Sequence, residues 1–356
     1  MLKMIGTMSI DGFGRIGGLV LKAAIRNGAA VVAVNDPVIP RDYRVYMFKY
    51  DPAHGKIKNG VCENGQSLYV NGNKNTVFNG RDPANIDWSS AGAEYVVEST
   101  EVVTITDKAF AHTKERAQEV TISAPSAVAP MFVMGVNHEK CDRGLQVMFH
   151  APCTTNCLAP LAKVINDNYG INEDLMTTAH SVTTTQKTID GPNGQDWCGG
   201  RCAALNIILS TTGATKDVSK IVPALNGILS RMVFHVPTPD VFVVGLTVKI
   251  EKEASYEDIC TKVKKSSNGS MNGILDYTDE SLVSINFVGD DRFSIFDAKA
   301  KIQLSKTFVK LVSGYDNEMS YSNRARITSI MIWTQCAIIG VVLTRVNPIK
   351  PDPESF

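Results

Sequence analysis

The feature that most constrains this chain is Gly12-Phe13-Gly14-Arg15-Ile16-Gly17, a G-x-G-x-x-G pattern. It leads into Ile16, Leu19, Val20, Ala23 and Ala24, the i, i+3, i+4, i+7, i+8 stripe of a helix packed on a sheet. The first glycine permits a tight turn and the second lets the backbone approach a pyrophosphate. The third lets helix and strand pack closely. The helix start then offers free N–H groups to phosphate. Ala30-Val31-Val32-Ala33-Val34 reads as a buried strand and runs into Asn35-Asp36. That is about the 20-residue distance at which an acid accepts hydrogen bonds from the adenosine ribose and opposes a 2′-phosphate, so the expected cofactor is NAD. Tyr95-Val96-Val97 reads as a further strand. Strand, helix and strand with short connections imply a parallel sheet with right-handed crossovers. The segment before the motif, Met4 to Ile10, is a poor strand by composition.

The rest of the chain asks for a second domain. Its 356 residues fit two. Val241 to Ile250 and Phe308 to Ser313 are long β-branched runs with fewer crossovers between them, which predicts a distinct α+β domain beginning near residue 150. Lys+Arg and Asp+Glu are 36 each, which argues against a whole-surface grip on nucleic acid or anionic lipid. The amino terminus lacks the apolar core and cleavage site of a signal peptide, so a reducing, cytoplasmic location is expected. Ile327 to Thr344 is apolar, but Thr328, Ser329, Thr334 and Gln335 interrupt it, and packing or self-association is expected rather than a membrane span. Eight cysteines include two close pairs, Cys153/Cys157 and Cys198/Cys202. Without histidines at matched spacing they do not read as a zinc site, and no metal is expected.

Cys153 carries the chemistry. The apolar run Leu145 to Phe149 leads into His150-Ala151-Pro152-Cys153, after which Leu158, Leu161, Val164 and Ile165 keep helical spacing. Cys153 is thus expected at a helix amino terminus, where the dipole favours a thiolate, with Cys157 one turn inside. A thiolate needs a base. Of six histidines, His180 ends the strand-like Leu175 to Ala179 and precedes a threonine-rich loop.

These residues lie in stretches that resemble the glyceraldehyde-3-phosphate dehydrogenase family, in its vertebrate form, from about Ile5 to Arg324. The strongest are Asp11–Gly17, Gly92–Thr100, Ala129–Lys140, Cys153–Asp167, Thr183–Gly194 and Tyr315–Arg324. The resemblance implies a Rossmann NAD-binding domain (1–151), an α+β catalytic domain with a mixed, largely antiparallel sheet (152–316), and a segment (317–356) that returns to the first domain and is atypical beyond 325. It implies phosphorylating oxidation of glyceraldehyde 3-phosphate to 1,3-bisphosphoglycerate, with NAD and inorganic phosphate, in a cytoplasmic homotetramer. Cys153 matches the nucleophile and His180 the base. Gly12, Gly14, Arg15, Ile16, Gly17, Asp36, Arg81, Ser123 and Asn317 match cofactor positions. Pro152, Thr154, Thr183, Thr212, Gly213 and His235 join Cys153 at substrate positions.

The departures from the family cluster at these sites. Asp11 stands for asparagine, Gly18 for arginine and Glu101 for glycine, all expected to weaken NAD binding. Pro152 replaces a serine, losing a hydroxyl and an N–H. His235 replaces the arginine that grips substrate phosphate; arginine is always charged and bidentate, histidine neither at pH 7. From Ala325 to Phe356 no resemblance remains. The alternative to an active dehydrogenase is an impaired member that serves as a binding or assembly partner.

Overall fold

The computed structural model describes residues 6–325, apart from 58–59, 104–105, 116, 125–128, 142–143, 185, 195 and 211–213. The expectations for Thr212, Gly213 and the tail from 326 onward lie outside the described residues.

Nine strands form the first sheet: β1 (Thr7–Asp11), β2 (Ala30–Asn35), β3 (Val61–Asn64), β4 (Ser67–Val70), β5 (Asn73–Phe78), β6 (Tyr95–Glu98), β7 (Glu119–Ile122), β8 (Met131–Phe132) and β9 (Val147–His150). Their order is β8-β9-β7-β6-β1-β2-β5-β4-β3. From β8 to β5 every pair is parallel, and β5, β4 and β3 form an antiparallel edge. The poor strand β1 is central, paired with β2 on one side and β6 on the other. Its Met8, Ser9 and Ile10 are buried, so tertiary context makes a strand that composition does not advertise. Helix α1 (Arg15–Arg26) buries Leu19, Val20, Ala23 and Ala24, as the stripe requires, and leaves Ile16 half-buried. Helix α2 (Arg41–Lys49) follows β2.

Helix α3 (Cys153–Tyr169) opens the second half and packs on its sheet. That sheet contains β10 (Ile171–His180), β11 (Ile208–Ser210), β12 (Leu229–His235), β13 (Phe242–Ile250), β14 (Leu275–Thr278), β15 (Ser294–Asp297), β16 (Ile302–Ser305) and β17 (Phe308–Tyr315). The order is β11-β12-β10-β13-β17-β15-β14, with β16 on β17. Two pairs are parallel, β10 with β12 and β14 with β15; the others are antiparallel. Leu158, Leu161, Ala162 and Ile165 recur on the inner face of α3 and join Met176, Leu246 and Leu311 in one core. Each such side chain contributes roughly 1.5–3 kcal/mol on burial. Residues 319–325 return as a helix toward the first sheet, and Ala325 packs in its core.

Candidate active site

The parallel strands of the first sheet end together, and their carboxyl edge carries the expected cofactor residues. β1 ends at Asp11-Gly12, β2 leads to Asp36, β5 to Arg81, β6 to Ser99 and β7 to Ser123. Ligands of open α/β sheets bind at such an edge. Gly12 has φ +89°, and a Cβ there meets Ser99 backbone at 2.7 Å. A Cβ on Gly17 meets the Gly12 carbonyl at 1.8 Å, whereas one on Gly14 meets nothing within 4 Å. Two glycines thus close the turn, and the middle one faces open space where a pyrophosphate fits. Asp36 accepts the Phe13 N–H (2.8 Å) at one oxygen and those of Val38 and Ile39 at the other, which stiffens the turn. Asn317 Oδ1 is buried without a hydrogen-bond partner, an acceptor suited to a carboxamide N–H. Ser123 accepts a hydrogen bond from the Tyr321 hydroxyl through its carbonyl, and Arg81 is exposed. The donor set fits NAD.

Arg15 takes part differently from expectation. Its guanidinium donates to Asp51 (2.8 Å) and Glu318 (2.6 Å) and meets His54 Nδ1 at 2.8 Å. Its side chain ties the start of α1 to the returning segment. Asp11 is buried rather than exposed at the turn. It is 2% exposed, and its side chain faces Asn35, Glu98 and His112. Gly18 lines a cleft with Phe13, Arg15, Lys22, Phe48 and Asp51.

Cys153 begins α3 as expected, behind Pro152 at the cap position, which offers no side-chain hydrogen bond. Next to it, Thr154 is 4% exposed and its Oγ1 lies 3.0 Å from His180 Nε2. The Tyr315 hydroxyl donates to the same oxygen at 3.1 Å. Thr154 Oγ1 thus links Tyr315 to His180 at the head of α3. Burial pushes the Cys153 thiol up, and hydrogen bonds from Tyr315 and Thr154 pull it partly back. The expected dipole stabilisation therefore works against a larger desolvation cost.

His180 is 8% exposed and stacks on Phe242 with ring centroids 3.8 Å apart. Burial, and secondarily His235, push it down to about 3. It is a neutral imidazole at pH 7, and the burial that keeps it neutral also weakens it as a base. His235 is its register partner across the parallel strands β10 and β12, the rings edge to face at 5.2 Å. Burial also pushes half-buried His235 down. Thr183 follows in the loop after β10, its N–H bound to Gln186. The structure thus brings Cys153, Thr154, His180 and His235 together. Tyr315 and Phe242 complete the group, and no local sequence signal marks either.

Comparison with known proteins identifies the family. Residues 7–106 match the NAD binding domain of the glyceraldehyde 3-phosphate dehydrogenase family, and residues 152–317 match its C-terminal domain. The glyceraldehyde-3-phosphate dehydrogenase of Glossina morsitans morsitans is 60% identical over 317 residues, covering 89% of this chain and 95% of that protein. That of Danio rerio is 58% identical over 318 residues, 89% of this chain and 96% of its own. Glyceraldehyde-3-phosphate dehydrogenase 2 of Schizosaccharomyces pombe is 58% identical over 321 residues, 90% and 96% of the two chains.

Proposed function

The chain belongs to the glyceraldehyde-3-phosphate dehydrogenase family, and on that premise we propose that Cys153 and His180 carry its reaction. The enzyme oxidises glyceraldehyde 3-phosphate to 1,3-bisphosphoglycerate, consuming inorganic phosphate and reducing NAD. Cys153 Sγ adds to the aldehyde carbon, giving a hemithioacetal. His180, neutral at pH 7, takes the hydroxyl proton as the carbon is oxidised to a thioester. NAD, when bound, supplies the hydride acceptor. Inorganic phosphate then attacks the thioester and releases the thiolate, and His180 returns the proton. Thr154 holds His180 in place, and the Thr183 hydroxyl, with Thr212 and Gly213, would serve the phosphates. Pro152 supplies shape but no donor. His235 takes the place of a phosphate-gripping cation.

Gly12, Gly14, Gly17 and the backbone of Arg15 and Ile16 would hold the pyrophosphate, Asp36 the adenosine ribose, and Asn317 the carboxamide. Arg81 and Ser123 would flank the adenosine. We divide the chain into an NAD-binding domain (1–151), a catalytic domain (152–316) and a returning segment (317–356), in keeping with the two sheets. A homotetramer is supported by the outer face of the second sheet. There Leu175, Leu209 and Met232, on three adjacent strands, are 47%, 60% and 45% exposed, an apolar surface that another copy would cover. A cytoplasmic location accords with glycolytic function, and no helix among the described residues is long and apolar enough to cross a membrane.

The observation that carries the reading is the neutral, buried His180 beside the head of the Cys153 helix. Purified protein should form NADH from glyceraldehyde 3-phosphate and NAD continuously with phosphate, and stop after about one turnover per site without it. Folded protein that forms no NADH with phosphate present would overturn it.

A further inference from the structure

Directly beneath the dinucleotide turn, three side chains converge: Asp11 at the end of β1, Glu98 at the end of β6, and His112. They are 2%, 1% and 0% exposed. Their carboxylate and ring atoms lie within 4.8 Å of one another. The hydrogens available to them can be counted. Trp88 Nε1 donates to His112 Nδ1 at 3.1 Å, so Nε2 bears the ring hydrogen. Nε2 lies 3.1 Å from Glu98 Oε2 and 3.5 Å from Asp11 Oδ2. The backbone N–H and hydroxyl of Thr100 donate to Glu98 Oε1. Asn35 Nδ2 donates to Asp11 Oδ1 at 2.6 Å. Asp11 and Glu98 are register partners across the parallel strands β1 and β6, and both side chains are buried. Two buried carboxylates this close resist being ionised together, which favours one of them keeping its proton.

We propose that Asp11 is a positioning residue for the cofactor turn, keeping a proton beside Glu98, and that losing this proton loosens the turn and weakens NAD binding as the medium becomes alkaline. The proposal rests on the placement of the pyrophosphate at Gly12–Gly17. Asp11 is well placed to act on that turn. Its carbonyl accepts both the N–H and the hydroxyl of Ser99, and that hydroxyl also reaches the Gly12 carbonyl. Gly12 N–H donates to the carbonyl of Asn35, whose side chain clasps both Asp11 and Gly80. Strain between the carboxyls therefore passes to every strand end around the turn. Glu98 and His112 are the charged or titratable groups that act on Asp11, and Asn35 is its neutral donor. Burial, then the charge of Glu98, push the Asp11 carboxyl up to about 7, which puts the proton's loss in a physiological range. By linkage, NAD must then favour the protonated form and take up protons on binding.

The test is NAD affinity of the full-length protein and of Asp11→Asn, measured from about pH 5.5 to about pH 8.5. The wild type should weaken about tenfold across this range. Its binding enthalpy near neutrality should change between buffers of different ionisation enthalpy, in the sense of proton uptake. Asp11→Asn, whose amide gives Glu98 a permanent donor, should show a flat profile and no uptake. Glu98→Gln serves the same end if the first variant does not fold. A flat wild-type profile, or the same slope and uptake in the variants, would overturn the proposal. NAD binding indifferent to Asp36→Ala would instead overturn the placement of the turn, and the coupling with it.

Discussion

Two regions of the enzyme bury titratable groups on opposite terms. Where α1 meets the returning segment, each buried charge has partners. Asp51, 9% exposed, accepts from Arg15 (2.8 Å) and from the N–H groups of Ala53 and His54, with Lys22 at 3.9 Å. Burial alone would push Asp51 up, but its contacts with His54 and Arg15 hold it below the usual carboxylate range. Strand β10 does the reverse. Asp174, 7% exposed, has no hydrogen-bond partner at either oxygen, and burial pushes it up to about 8. His180, six residues along the same strand, has no partner at Nδ1 and is pushed down to about 3. Burial exacts a similar penalty in both places, and partners decide whether a group is charged. The charged region is a clamp. The uncharged one holds the base.

The sharpest test of this contrast is His180→Asn. It should lower kcat by about 10²–10⁴-fold, the usual worth of a positioned base. Thermal stability should hardly change, since the ring has little beyond the Thr154 contact and the Phe242 stack to lose. Cys153 should also react more slowly with a limiting alkylating agent at neutral pH. A variant that loses stability but not kcat would make His180 a structural residue.

Asp51→Asn probes the clamp and should show the opposite pattern. Removing one member of a buried, paired group leaves Arg15 and Lys22 undercompensated, and a loss of about 3 kcal/mol in unfolding free energy is expected. Because the folded-state value is lowered, the wild-type contribution is present above the unfolded value of about 4 and is lost as pH falls below it. The difference between the two proteins should therefore shrink in acid. Equal denaturant midpoints at neutral pH would show that the clamp is ornamental.

Much of this was legible in advance, for local reasons. The glycine pattern and the stripe after it define α1, and Cys153 sits at its helix start because an apolar run ends and helical spacing begins there. What the sequence conceals is long-range. His180 and His235 touch because β10 and β12 are parallel and in register, a pairing with no local signature. Tyr315 meets Thr154 from the far end of β17. Asp11 was expected beside phosphate because it precedes the turn, yet the strand's alternation sends its side chain inward to Glu98. At Cys153 the dipole was visible, but the burial that outweighs it was not.

His235→Arg sharpens the contrast by adding a charge to the uncharged region. An arginine makes two charge-assisted bonds to phosphate where a neutral imidazole makes one ordinary bond, a gain of about 2 kcal/mol, or roughly thirtyfold in kcat/KM. The gain should appear with glyceraldehyde 3-phosphate and be small with an aldehyde lacking phosphate. An unchanged kcat/KM for the phosphorylated substrate would mean that this position does not reach phosphate.

Asp174→Asn is expected to have the smallest effect, and its sign follows from the comparison. Because the folded-state value is raised to about 8, the folded protein keeps a proton that the unfolded chain releases above about pH 4. Wild-type stability attributable to Asp174 therefore falls as pH rises between these values and levels off above the higher one. An asparagine cannot ionise, so the variant escapes that loss while still burying a polar amide with no partner. The variant should match the wild type near pH 4 and exceed it increasingly toward pH 8, read as a denaturant midpoint at each pH. Turnover at pH 7 should stay within about twofold, since Asp174 lies well down the strand from His180. A variant less stable than the wild type at pH 8 would mean that Asp174 is ionised and paired, and β10 would then resemble the clamp rather than oppose it.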